Sequence, residues 1–249
     1  MNDIRFHEMA DGRRIAFRHA EGRGPTLVFL PGYMSDMDGG KATALFDWAA
    51  QNDRACLLLD YSGCGRSSGE FADGTLSKWR GEVLELIDTH VEGEVVVVGS
   101  SMGGWLMLLV GKALGTRLAG IVGIAAAPDF TDWGYTDAQK AKMAGGETVY
   151  EDNPYGPEPT PTHAGFFVDG QAQRLLEGTI GIDAPVRLIH GQRDQDVPWQ
   201  ISQRLADALR SDEVQVTFVK DGDHRLSRPQ DIALLLRTIG GLFEHSETT

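Results

Sequence analysis

The chain has 249 residues, 41% of them hydrophobic, which suits one large α/β domain better than two small ones. Its 23 basic and 36 acidic residues leave a formal charge of −13, and a surface of that sign repels polyanions, so nucleic acid is not an expected partner. Two cysteines make no disulfide framework, and the sequence shows neither a secretory h-region nor an apolar run of membrane-spanning length, which makes a cytoplasmic location the expectation.

Ile4 to Met9 and Arg14 to His19 read as a hairpin around Asp11-Gly12. Thr26 to Leu30 is a short buried strand. Lys41 to Gln51 is helical, with Ala42, Leu45, Phe46 and Ala49 on one face. Arg54 to Asp60 is a second buried strand holding Cys56 as a small core residue, and Cys64 lies in the glycine turn after it. Leu76 to Val91 carries Leu76, Trp79, Val83, Leu86 and Ile87 at helical spacing. Val95 to Val98 make a buried strand, Met102 to Leu114 an apolar helix, and Leu118 to Ala127 another strand. Val186 to His190 and Val214 to Lys220 are strands, each followed by a helix, Gln200 to Arg210 and Asp231 to Phe243. Strands alternating with helices imply a largely parallel sheet covered on both faces. The polar tail from Glu244 is expected to fray.

Residues 129–181 break that rhythm. They hold Gly145-Gly146, a proline-rich run from Asn153 to Pro161, and the aromatics Phe130, Trp133, Tyr135, Tyr150, Tyr155, Phe166 and Phe167. So many aromatics argue against disorder, and a long insertion in a compact domain is commonly functional. The reading is a core of 1–128 and 182–249 with 129–181 as a cap over the C-terminal edge of the sheet.

The chemistry centres on Gly99-Ser100-Ser101-Met102-Gly103, a Gly-x-Ser-x-Gly run between the valine strand and the apolar helix. That context is the nucleophile elbow, with Ser101 as the nucleophile. A serine hydroxyl is a poor nucleophile without a base, and the base needs an orienting acid. With this elbow the chain order is serine, acid, histidine. His224, in Asp221-Gly222-Asp223-His224-Arg225, is the candidate base, and Asp194 and Asp196 both stand on the loop after the preceding strand. His190 closes that strand before a glycine and reads as structural. The oxyanion needs preset backbone donors, expected from the N–H of Met102 and from Tyr33 in Leu30-Pro31-Gly32-Tyr33-Met34. Tyr33, Met34, Trp105 and Phe130 are the expected pocket walls.

Competing motifs fail. Gly63-x-Gly65 with Gly69 has its third glycine one residue late for a dinucleotide loop, and no His/Cys cluster has zinc spacing. The reaction is therefore expected to need no cofactor and no metal.

The chain resembles the α/β-hydrolase superfamily, and within it the acyl-protein thioesterase and mycophenolic-acid acyl-glucuronide esterase family. The resemblance is carried by Leu30-Pro31-Gly32-Tyr33, Asp60-Tyr61-Ser62-Gly63-x-Gly65, Lys78-Trp79-Arg80, Gly99 to Leu108, Val197-Pro198-Trp199 and Asp223-His224-Arg225. It implies a mostly parallel eight-stranded sheet with a cap insertion, a triad of Ser101, Asp194 and His224, and no cofactor. The His-Gly-x-x-Asp-x-x-Val-Pro register of related hydrolases favours Asp194 over Asp196. The implied substrates are small-molecule esters and acyl thioesters, with acylated proteins as further candidates. The cap departs from the family pattern, notably in its proline-rich piece. The mitochondrial members carry a transit peptide that these opening residues lack, so a cytoplasmic location stays the expectation. A noncatalytic ligand binder and a cofactor-free C–C hydrolase or haloperoxidase are the alternatives.

Overall fold

The structure, a computed structural model, describes residues 3–153 and 156–246. β1 (Arg5–Glu8) and β2 (Arg14–Ala20) form the expected antiparallel hairpin. They precede β3 (Arg23–Leu30), α1 (Gly40–Gln51) and β4 (Arg54–Leu59). Then come α2 (Leu76–His90), β5 (Val95–Ser100), α3 (Met102–Leu114) and β6 (Leu118–Ile124). The following segment holds α4 (Phe130–Trp133), α5 (Asp137–Ala144), β7 (Val149–Glu151), β8 (Thr160–Thr162) and α6 (Ala164–Ala172). β9 (Val186–Gly191), α7 (Gln200–Ala208), β10 (Val214–Val219) and α8 (Pro229–Ser246) come last.

Eight strands form one sheet in the order β1-β2-β4-β3-β5-β6-β9-β10. β2 runs antiparallel to β4, and every neighbouring pair from β4 to β10 is parallel. The valine run explains itself by its position. Val95 and Val97 pack with Trp79, Val83, Leu106 and Val110 from α2 and α3. Val96 and Val98 pack with Leu45 and Phe46 from α1 and Leu235 and Ile239 from α8. A central parallel strand is buried on both faces, so its sequence has no polar alternation. α2 starts where it does because Thr75 Oγ1 accepts the N–H of Lys78 at 3.1 Å, an N-cap.

Several boundaries shift. β6 stops at Ile124, and Ala125, at φ 44°, turns the chain out of the sheet, which an all-small apolar run does not announce. α7 ends at Ala208 because Leu209 forms a parallel bridge with Ile180. α8 begins two residues early on Pro229, a favoured first helical residue. Glu244 to Ser246, expected to fray, continue α8, and 247–249 lie outside the described residues.

The segment 129–181 has small elements of its own. Its helices span four, eight and nine residues, too short for an apolar period to repeat. β7 pairs antiparallel with β8, which takes in Thr160 and Pro161 at the end of the proline-rich run; Pro154 and Tyr155 of that run lie outside the described residues. Asp129, left-handed at φ 59°, accepts the N–H of Leu175 at 2.8 and 3.0 Å and of Leu176 at 2.7 Å. The two ends of the segment are thereby tied together. Among the described residues, no helix is long and apolar enough to cross a membrane.

Candidate active site

The elbow is built by steric necessity. Ser101 has φ 54° and ψ −120°, outside the regions that L-residues favour. Its N–H donates to the Ile124 carbonyl at 2.9 Å, and its own carbonyl accepts from Ala127 at 3.0 Å. A Cβ on Gly103 would lie 2.1 Å from the Leu30 carbonyl oxygen, and one on Gly99 2.3 Å from that of Gly103. Only glycine lets α3 start this close to β3 and β5.

The loops after β9 and β10 bring the partners to Ser101. They clasp each other tightly: a Cβ on Gly191 would fall 2.3 Å from the Gly222 carbonyl oxygen, and Arg193 N–H donates to that oxygen at 2.9 Å. His224 Nε2 lies 3.0 Å from Ser101 Oγ, and His224 Nδ1 lies 2.8 Å from Asp194 Oδ2. Asp194 Oδ1 accepts the N–H of Asp196 at 2.9 Å and of Val197 at 2.8 Å. Burial pushes the Asp194 carboxyl up, but hydrogen bonds from His190 and His224 outweigh it and hold the group well below the ordinary carboxylate range. Asp196 is exposed and offers its backbone to Asp194.

Ser101 and His224 face a cavity of about 790 Å³. Met34 and Phe130, expected as walls, line it together with Tyr33, Trp133 and Tyr135. Trp105 does not. It is fully buried on α3, donates Nε1–H to the Gln173 carbonyl at 3.2 Å, and packs edge-on behind Phe130 at 5.7 Å. The residues after α6 cover that face of the helix and take Trp105 out of reach. Lys41 and Arg225 stand on the polar side of the cavity; burial pulls the Lys41 amine down to about 8, and its Nζ donates to the Arg225 carbonyl.

Tyr33 and Met102 both line the cavity. Met102 opens α3, so its N–H has no intrahelical acceptor. The loop carrying Tyr33 is braced from beneath, where Tyr61 donates its hydroxyl to the Pro31 carbonyl at 3.1 Å. The buried Asp60 carboxylate accepts the N–H of Met37 and of Arg66, both at 2.8 Å. A Cβ on Gly65 would lie 2.2 Å from Asp60 Oδ2, which accounts for the glycine in Asp60-Tyr61-Ser62-Gly63-x-Gly65. The bracing role of Asp60 and Tyr61 had no signal in the sequence beyond that motif.

Asp194, Asp196 and His224 bring three atoms of ligand type within 4.8 Å of one another, the one such group among the described residues. His224 Nδ1 and Asp194 Oδ2 are already engaged with each other, so the group reads as a hydrogen-bonded base and acid.

A strained serine between a parallel strand and a helix, with histidine and aspartate from later loops, agrees with the comparisons. Residues 27–233 match the alpha/beta hydrolase family model. The chain belongs to the α/β-hydrolase family. This hydrolase is 37% identical over 242 residues to the mouse (Mus musculus) palmitoyl-protein thioesterase ABHD10, mitochondrial, covering 94% of this chain and 80% of that one. It superposes on the solved structure of mouse alpha/beta hydrolase domain-containing protein 10 with a TM-score of 0.91 at 33% identity, over 98% and 99% of the two chains. A putative hydrolase from Agrobacterium vitis S4 gives 0.89 at 38% identity, over 96% and 99%. One expectation is overturned. The mouse relative is a mitochondrial protein by name, so the cytoplasmic location is withdrawn. That location rested on the want of an apolar run and of a transit peptide in the opening residues, and neither feature decides against the mitochondrial relatives.

Proposed function

We propose that the hydrolase cleaves carboxylic esters and acyl thioesters through an acyl-enzyme on Ser101. The observation that carries this reading is the continuous chain from Ser101 Oγ to His224 Nε2 at 3.0 Å and from His224 Nδ1 to Asp194 Oδ2 at 2.8 Å. His224 takes the Ser101 proton as Oγ attacks the acyl carbon, and returns it to the leaving alcohol or thiol. Asp194 holds the imidazole with Nδ1 protonated, so that Nε2 is the accepting nitrogen. The N–H groups of Tyr33 and Met102 receive the developing oxyanion. A water molecule, deprotonated by the same imidazole, then attacks the acyl-enzyme and frees Ser101.

The segment 129–181 acts as a cap on the core of 1–128 and 182–249. Phe130, Trp133 and Tyr135 form an apolar wall, and Met34 lines the cavity with half its surface exposed. Such walls suit a hydrophobic acyl group. The palmitoyl-protein thioesterase relatives make long-chain acyl thioesters, on proteins or on small thiols, the substrates to try first. A noncatalytic binder on this scaffold leaves the strained Ser101 backbone and the aligned His224 without a purpose.

The test is a panel that pairs acyl chains of increasing length with oxygen and sulfur leaving groups. A burst of released leaving group followed by steady turnover is expected. Stoichiometric ligand binding without release would overturn the reading.

A further inference from the structure

The Asp194 carboxylate serves two imidazoles. Oδ2 accepts from His224 Nδ1 at 2.8 Å and from His190 Nε2 at 3.1 Å. His190 Nε2 also lies 3.1 Å from the Val197 carbonyl oxygen. The carbonyl oxygen and an ionised carboxylate only accept, so Nε2 is a protonated nitrogen of that ring. Nδ1 is bonded to Ser202 Oγ at 2.7 Å, and both His190 and Ser202 are buried. With the backbone N–H groups of Asp196 and Val197 on Oδ1, four donors occupy the lone-pair positions of one carboxylate.

The backbone donors alone do not fix this acid. Both act on Oδ1, and the terminal torsion of an aspartate is broad, so Oδ2 could swing away from His224 about that anchor. His190 closes the gap. It comes from β9 and is held by Ser202 on α7, so its ring ties Asp194 and the Val197 carbonyl of the same loop to the sheet and the helix. The titratable groups facing Asp194 are His190, His224 and Asp196. Filling space at this position would need only an apolar side chain, yet a buried ring donates to the catalytic acid.

We propose that His190, backed by Ser202, is a positioning residue that fixes the plane of Asp194 so that Oδ2 faces His224 Nδ1. The proposal rests on the reading of Asp194 as the acid of the triad. It differs from a purely structural role in one measurable respect: all of its effect on catalysis passes through the Asp194 carboxylate.

The experiment is a double-mutant cycle with His190→Leu and Asp194→Ala, read as turnover of p-nitrophenyl butyrate, with thermal unfolding measured for each variant. A displacement of about 1 Å at a reacting group costs on the order of 10²-fold, so His190→Leu should lower kcat by roughly 10- to 100-fold with little change in KM. In the Asp194→Ala background it should cost nothing further. His190→Gln, which carries an amide donor to the place of Nε2, should recover part of the loss. A folded His190→Leu protein with full kcat, or one that loses the same factor in both backgrounds, overturns the proposal. If Asp194→Ala itself keeps full turnover, the assignment of the acid has failed instead. Should His190→Leu not fold, Ser202→Ala replaces it in the same cycle. A several-fold loss confined to the background that retains Asp194 supports the proposal, and an equal loss in both, or none in either, overturns it.

Discussion

Ser101 keeps a backbone conformation that costs a non-glycine residue on the order of 1–3 kcal/mol, and it is held there by bonds to Ile124 and Ala127. Strain maintained against that cost exposes Oγ to His224. Ser101→Ala should cut turnover by at least about 10³-fold while leaving the fold intact, since binding and the oxyanion donors retain only residual catalysis. A fluorophosphonate that labels Ser100 in that variant would move the nucleophile by one residue. Asp194 and Asp196 separate in the same way. Asp194→Asn should lower kcat by roughly 10⁴-fold because it favours the wrong imidazole tautomer, whereas Asp196 gives the acid only its backbone N–H, which Asp196→Asn keeps. Steady-state kinetics on the two variants decide it, and the reverse ranking would transfer the role to Asp196. EDTA should leave activity unchanged; inhibition reversed by a divalent ion would contradict a mechanism built on Ser101, His224 and Asp194.

At the scale of the element, a triad such as the one proposed for Ser101, Asp194 and His224 treats any ester or thioester carbonyl alike, so selectivity falls to the cavity walls. Each buried methylene of an acyl chain is worth about 0.8 kcal/mol while it fits, so kcat/KM should rise with chain length and then fall where the chain meets a wall. Trp133 lines the cavity from α4. Trp133→Ala should move the optimum to longer chains and leave an acetate ester hydrolysed as before. A uniform loss across all lengths would make the segment a stability element instead. Asp129 is where that segment is tied shut. Removing its carboxylate leaves the N–H groups of Leu175 and Leu176 without that acceptor, at about 1–3 kcal/mol for each that stays buried and unpaired. Amide exchange in Asp129→Ala should therefore quicken in 164–181 more than in the sheet strands.

For the molecule as a whole, acid stability follows from where its buried carboxylates titrate. Asp194 has a folded value below its unfolded one, so its contribution is present above the ordinary carboxylate range and is lost as pH falls toward the folded value. Asp60 and Asp129 are raised by burial despite the N–H groups they accept. Their contribution runs the other way, present at low pH and lost as pH rises through their folded values. Denaturant unfolding between pH 6 and pH 3 should thus show the native protein losing more stability, or gaining less, than Asp194→Asn as pH falls. An identical slope in the two proteins would mean that the buried acid is not coupled to folding.

What the sequence determined by itself is what short-range sterics and periodicity control. The valine run and the Gly-x-Ser-x-Gly turn are each written within a few residues, because burial on both faces or a close backbone approach admits few side chains, and the alternation of strand and helix follows from such local patterns repeated along the chain. The tertiary structure alone decided which partners meet. Of two aspartates two residues apart on one loop, Asp194 reaches His224, whose other ring nitrogen lies 3.0 Å from a serine 123 residues away, and Asp196 is exposed. Trp105 was legible as an apolar residue on the elbow helix, but the chain around Gln173, 68 residues later, packs it away from the cavity. His190 read as a strand-end histidine until β9 and α7 aimed it at the acid. Contacts of this kind join segments that share no local pattern, so only the packing of the sheet and its helices specifies them.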